Sequence, residues 1–108
     1  MEISRIQYLQ KMLEDDPNDI FIRYALGMEL KNGNDPENAI KYLESVHKLD
    51  PSYLGVYYQL GKLYETLEQT DNALAIYSEG LQRAADVHDF HTLAELRNAK
   101  TNLEMELP

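Results

Sequence analysis

The residues with the most obvious chemical potential are His88 and His91, three positions apart, with Asp86 and Asp89 beside them. On a helix, that spacing is compatible with a divalent metal. A closed site needs a further fixed ligand, and the spacing supplies none. An exposed helix start accounts for the group equally well, so no metal is expected. A second cluster, Glu14-Asp15-Asp16 with Asn18 and Asp19, lacks the Gly and the distal Glu of a calcium loop. Helix capping is its expected role. His47 lies on or beside an apolar helix face and is expected to be packed and hydrogen-bonded. No Gly-rich loop offers to cradle phosphate, and no Ser, His and acid are placed suggestively for acyl transfer. The absence of cysteine removes thiol nucleophiles, disulfides and cysteine zinc sites together. The expectation is a protein that is not an enzyme and uses no cofactor.

Composition narrows the partners instead. The chain has 108 residues, 44% hydrophobic and 27% charged, which suits one globular domain, 1–108. Nineteen acidic residues against ten basic ones give a formal charge of −9. Such a surface repels phosphate backbones and anionic bilayers, so neither nucleic acid nor membrane is an expected partner. The charge serves solubility, or it selects basic or neutral partners. Met1-Glu2-Ile3-Ser4-Arg5 does not read as a secretory leader, and no apolar run approaches the roughly 20 residues of a bilayer span. A cytoplasmic protein is expected.

The elements that position these residues follow from an internal repeat. Shifted by 34 residues, the sequence meets itself without gaps over its first 80 or so positions. Asp16-Pro17 falls on Asp50-Pro51, Tyr24 on Tyr58, Leu26-Gly27 on Leu60-Gly61 and Asn38-Ala39 on Asn72-Ala73. Ile6 and Tyr8-Leu9 fall on Ile40 and Tyr42-Leu43. Each unit carries two patterns of helical period. Ile22, Leu26 and Leu30 line one face; Ala39, Ile40, Leu43 and Val46 line the next. Asn32-Gly33-Asn34 breaks the chain between them, with Gly33 suited to a left-handed position after the helix. Asp35-Pro36-Glu37 restarts it, as N-cap, first-turn proline and first-turn acid. In the second unit, Val56, Leu60, Leu63 and Tyr64 precede Ala73, Leu74, Tyr77 and Leu81, with Asp71 as the expected N-cap. The layout is about five helices: an N-terminal helix over 3–15, paired helices in repeats 20–53 and 54–87, and a C-terminal capping helix over 88–106. The fold class is all-α.

These positions carry a resemblance. With Ile20 and Leu54 as first positions, the chain resembles the tetratricopeptide repeat family over roughly residues 5–98. The second unit supplies Tyr57, Leu60-Gly61, Tyr64, Ala73, Tyr77 and Gly80. The first supplies Leu26-Gly27, Leu30, Ala39, Leu43, Val46 and Pro51. Small residues at the helix crossing permit close approach, and large ones fill the gaps beside them. Arg23 departs from the pattern where an aromatic belongs. Ala85 stands in place of the second proline and implies a helix running on towards residue 88. Glu95 stands where a third unit would have its glycine, which makes the last helix a cap.

The resemblance implies a right-handed α-solenoid of antiparallel helix pairs whose first helices line a concave groove for a protein or peptide. The helical stripe through Phe21, Tyr24, Met28 and Lys31 then faces that groove, followed by Tyr58 and Lys62, and by Thr92 and Leu96 on the cap. Aromatic and Met side chains are effective anchors, and Lys62 could meet a carboxylate. Alternatively, Phe21 and Tyr24 pack against the N-terminal helix. Some family members grip a terminal carboxylate with a Lys/Asn/Arg clamp. Tyr24 and Met28 occupy the first-unit clamp positions here, so that ligand is not expected. The other expected role is self-association into a homodimer through the same exposed apolar surface.

Overall fold

A computed structural model describes residues 4–108; Met1–Ile3, with the expected first residue of the N-terminal helix, lie outside the described residues. The described residues form six α-helices and no strand. They are α1 (Arg5–Asp15), α2 (Ile20–Asn32), α3 (Pro36–Leu49), α4 (Gly55–Thr66), α5 (Thr70–Asp86) and α6 (Phe90–Glu106). A single helix, two pairs and a closing helix account for all six.

The helices stop in two ways. Asp16 and Asp50, at the ends of α1 and α3, hold extended ψ angles of 80° and 85°. Each precedes a proline, whose ring disfavours the helical conformation in the residue before it. After α2, α4 and α5 the chain instead turns through a left-handed residue: Asn34, Glu68 and His88, with φ of 62°, 59° and 58°. The following amide then reaches back to the helix: Asp35 N–H to Leu30 O and Gln69 N–H to Tyr64 O, at 2.9 and 2.8 Å. Asp89 N–H reaches Ala84 O in the same way, at 2.9 Å. These are Schellman turns. The left-handed position after α2 is therefore Asn34 and not Gly33, whose φ is −82°. Gly33 is the C-cap and its amide still bonds within the helix, to Glu29 O.

Starts follow the sequence with one exception. Ser4 forms a reciprocal capping box with Gln7. Asp19 accepts from the Phe21 and Ile22 amides, and Asp35 from that of Asn38. Asp71 is not an N-cap: α5 begins at Thr70, behind Gln69, and Asp71 is an acid of the first turn. The Gln69 side chain accepts from Asn72 Nδ2 and leaves the helix amides uncapped. Ala85 has the expected effect, since α5 runs 17 residues where α3 runs 14.

The chain divides into two compact units between Pro51 and Ser52. In the first, Leu9, Leu26, Ala39, Ile40, Leu43 and Val46 are buried. Gly27 lets α2 approach α3, because a Cβ there would lie 2.6 Å from Leu43 Cδ2. In the second, the core runs from Val56, Tyr57, Leu60 and Leu63 through Ala73, Ile76 and Tyr77 to Leu96, Ala99 and Leu103. Gly61 faces the Tyr77 ring, with Cδ1 2.7 Å from where a Cβ would stand. Gly80 meets Tyr57 and Leu96 in the same way, at 2.8 Å from each. No helix among the described residues is long and apolar enough to cross a membrane.

Candidate functional site

The second unit holds an open cleft of about 330 Å³ between α4 and α6. Tyr58, Lys62 and Glu65 line it from α4, at spacings of four and three that put them on one face. Glu95, Asn98, Ala99, Asn102 and Glu106 line it from α6. The opposite face of α4 is committed to the core through Leu60 and Leu63, and the adjacent face of α6 through Leu96, Ala99 and Leu103. Burial of one stripe thus fixes the direction of the other.

Two buried tyrosines tie the α4 wall to α5 behind it. Tyr57 on α4 donates its hydroxyl to Glu79 on α5 at 2.7 Å. Tyr77 on α5 donates in the opposite sense, to Glu65 on α4. Burial first, and then the Glu65 carboxylate beside it, push the Tyr77 phenol far above its ordinary pKa, so it remains a donor. Lys62 Nζ stands 3.7 Å from the same Glu65 carboxylate, and Arg83 Nε 3.4 Å from that of Glu79. Glu65 is consequently a half-buried carboxylate at the cleft, held by a rigid ring and a neighbouring cation.

Of the residues expected to face a partner, the cleft takes Tyr58 and Lys62. Leu96 does not belong there: it is fully buried, with its Cδ1 against Gly80. Thr92 is a half-buried residue in the first turn of α6, and its amide and hydroxyl both donate to the N-cap Asp89, at 3.0 and 2.8 Å. Those bonds, the amide first, lower the Asp89 pKa. The physical reason for the misplacement lies in α5. Its extra residues shift the frame, so that buried Leu96 and Ala99 stand 36 residues after buried Leu60 and Leu63 instead of 34. Glu95, Asn98 and Asn102 were hidden by that slip, although Ala85 is its signal.

The first unit carries the other expected stripe on α2. Phe21 is 68% exposed. Tyr24, Met28 and Lys31 are half-buried. Arg23, in the place of the family's aromatic, donates from Nε to Pro17 O at 2.7 Å and ties α2 to the preceding loop. His88 and His91 are exposed, the former in contact with the Phe90 ring. Among the described residues, no group of three His, Asp or Glu side chains is placed to hold a metal.

The tetratricopeptide repeat family model matches residues 30–96, more than half of the chain. The chain belongs to the tetratricopeptide repeat family. A repeat-containing protein of Pseudomonas aeruginosa is 29% identical over 80 residues, covering 74% of this chain and 76% of that protein. The solution structure of a tetratricopeptide repeat domain protein from Salinibacter ruber is 39% identical, with a TM-score of 0.78, covering 85% of this chain and 93% of that one. The TPR2B domain of yeast Sti1, solved as a complex with pHsp70, has a TM-score of 0.85 at 14% identity, covering 94% and 82% respectively. At that identity the likeness concerns the fold. The tetratricopeptide repeat is a protein-interaction module, and its members are generally non-enzymatic scaffolds.

Proposed function

We propose that this chain binds a peptide or protein partner on the exposed faces of α2, α4 and α6, with the α4/α6 cleft as the principal contact. The cleft itself carries the reading. It is open, it lies between α4 and α6 at the edge of the core, where Ala99 belongs to both, and its lining combines Tyr58 with side-chain amides and charges. An aromatic surface surrounded by groups that hydrogen-bond is the composition of a recognition surface. Phe21, Tyr24, Met28 and Lys31 form a second contact stripe in the first unit. The partner class is protein, with no nucleic acid or bilayer, because the acidic surface opposes both. The work is that of a cytoplasmic adaptor. The pHsp70 ligand of the yeast domain is not carried over, since Tyr24 and Met28 stand where a carboxylate clamp would need its polar residues.

Affinity capture from an extract of the source cells tests the reading, comparing the native chain with Tyr58→Ala and Tyr24→Ala. Loss of a captured protein with Tyr58→Ala supports the cleft, and loss with Tyr24→Ala alone moves the contact to α2. An unchanged set with both variants overturns the proposal.

Self-association is favoured by one observation in the first unit. Val46 is fully buried on α3, whereas its repeat counterpart Met12 on α1 is 39% exposed, and Tyr8 beside it 57%. Light scattering across a concentration series, with Tyr8→Ser/Met12→Ser as control, separates a dimer formed there from a monomer.

A further inference from the structure

The charge of the α4/α6 cleft is uneven in a way that selects its occupant, and we infer that it accepts a basic peptide segment whose arginine or lysine side chains meet Glu65 on one wall and Glu95 or Glu106 on the other. This inference rests on the reading of the cleft as the partner-binding surface and adds the partner's chemistry. Three carboxylates line the cleft and one cation, Lys62, offsets them. That cation stands 3.7 Å from Glu65, and the lining keeps two more carboxylates than cations.

Position matters as much as sign. Glu65 is fixed by the buried Tyr77 hydroxyl, so a ligand's cation meets a carboxylate that loses little freedom on binding. Glu95 and Glu106 come from α6, across the cleft from Glu65, and lie about 16 Å apart along that helix, so they offer separate contacts to successive cationic side chains of a peptide. Tyr58 adds a ring on which the aliphatic stem or the cation itself can lie. An acidic segment would bring like charges together and is selected against. A bare metal ion is a poorer occupant, because the described residues present no three-ligand group. An extended peptide spans such an open cleft and contributes backbone groups to Asn98 and Asn102, whose amides are neutral and leave the charge balance unaltered.

The test uses the full chain, ¹⁵N-labelled, titrated with three acetylated and amidated decapeptides identical except at a central Arg-Leu-Arg, Gln-Leu-Gln or Glu-Leu-Glu. The Arg peptide is expected to shift the amide signals of Tyr58, Asn98 and Asn102 and to bind about tenfold more tightly than the Gln peptide. Added salt should narrow that gap. Glu95→Gln/Glu106→Gln, two exposed positions whose replacement spares the core, should remove most of the preference. Glu65→Gln, which keeps an acceptor for Tyr77, should act in the same direction. If the Gln or Glu peptide moves the same signals as strongly, or the double variant keeps the preference, the basic-ligand inference is wrong while the cleft remains a binding surface. If no peptide moves them, the inference is again overturned, and captured partners that ignore Tyr58→Ala overturn the cleft as well.

Discussion

Where α2 crosses α3, Gly27 faces Leu43; one repeat later, where α4 crosses α5, Gly61 faces Tyr77. The substitutions around that crossing are concerted. Arg23, Ser45 and Lys31 of the first repeat correspond to Tyr57, Glu79 and Glu65 of the second. The first hairpin closes on an aliphatic side chain, and its Arg23 is used locally, on Pro17 O. The second closes on two rings whose hydroxyls each reach a carboxylate on the other helix, Tyr57 to Glu79 and Tyr77 to Glu65. The same backbone crossing is thus sealed twice with different chemistry. A buried tyrosine must place its hydroxyl on a partner. Meeting that need in the second repeat leaves a fixed carboxylate, Glu65, at the edge of the cleft. The polar character of that cleft is in this sense a consequence of how its hairpin packs.

The sharpest way to break the comparison is to add one methyl group at each crossing. At Gly61 it would overlap a ring that is fully buried and held through its hydroxyl. At Gly27 it would press on Leu43, which is equally buried but has no hydroxyl bond to hold its side chain in place. Overpacking of a rigid site costs about 1–3 kcal/mol, set against a helix-propensity gain of about 0.5–1 kcal/mol for replacing Gly. Gly61→Ala is expected to destabilise by about 2 kcal/mol and Gly27→Ala by less than about 1 kcal/mol. Urea unfolding midpoints measure both. Equal losses would mean that the ring in the second hairpin is no more rigid than the leucine in the first.

A smaller effect separates the two hydroxyls. Tyr77→Phe and Tyr57→Phe each keep the ring and remove one hydrogen bond to a carboxylate, so each should lower stability by about 1 kcal/mol. They should differ in binding. Tyr77→Phe releases Glu65 and is expected to weaken the Arg peptide, whereas Tyr57→Phe acts on Glu79, outside the cleft, and should leave it unchanged. Thermal melts read the first expectation and peptide titration the second. A shared loss of affinity would show that the hydroxyls act through overall stability and not by holding Glu65.

How much of this was legible in the sequence depended on whether a residue's role was local or relayed. Gly27, Gly61, Ala39, Ala73 and Tyr77 could be placed at the crossings because the resemblance to the tetratricopeptide pattern assigns small residues to the crossing and large ones beside it. Asp19 and Asp35 could be read as caps from their immediate neighbours. The face of α6 could not. Its direction depends on where α5 stops, and the continuation past Ala85 moved the frame by two residues, turning Leu96 into the core and Glu95, Asn98 and Asn102 into the cleft. The Tyr77–Glu65 pair was hidden for a related reason: residues 12 apart meet only once the hairpin has formed. Gly33 was misleading because glycine tolerates a left-handed conformation without requiring it, and Asn34 tolerates one as well.

The loops between paired helices complete the contrast. Asn34-Asp35 in the first hairpin corresponds to Glu68-Gln69 in the second. Asn34 and Glu68 both adopt the left-handed conformation, which asparagine tolerates better than glutamate. Asp35 then caps α3 through the Asn38 amide, while Gln69 gives α5 no such bond. Grafting the first loop onto the second, as Glu68→Asn/Gln69→Asp, should therefore stabilise the chain by about 1 kcal/mol, most of it from the cap. The contact to Asn72 is expected to survive, because Asp35 makes the same contact to Asn38 at 2.8 Å. The reverse graft, Asn34→Glu/Asp35→Gln, should cost a similar amount. Urea midpoints of the two variants would then move in opposite directions. If both fell, the second loop would be fitted to its own hairpin, and the repeats would differ in backbone geometry as well as in side-chain chemistry.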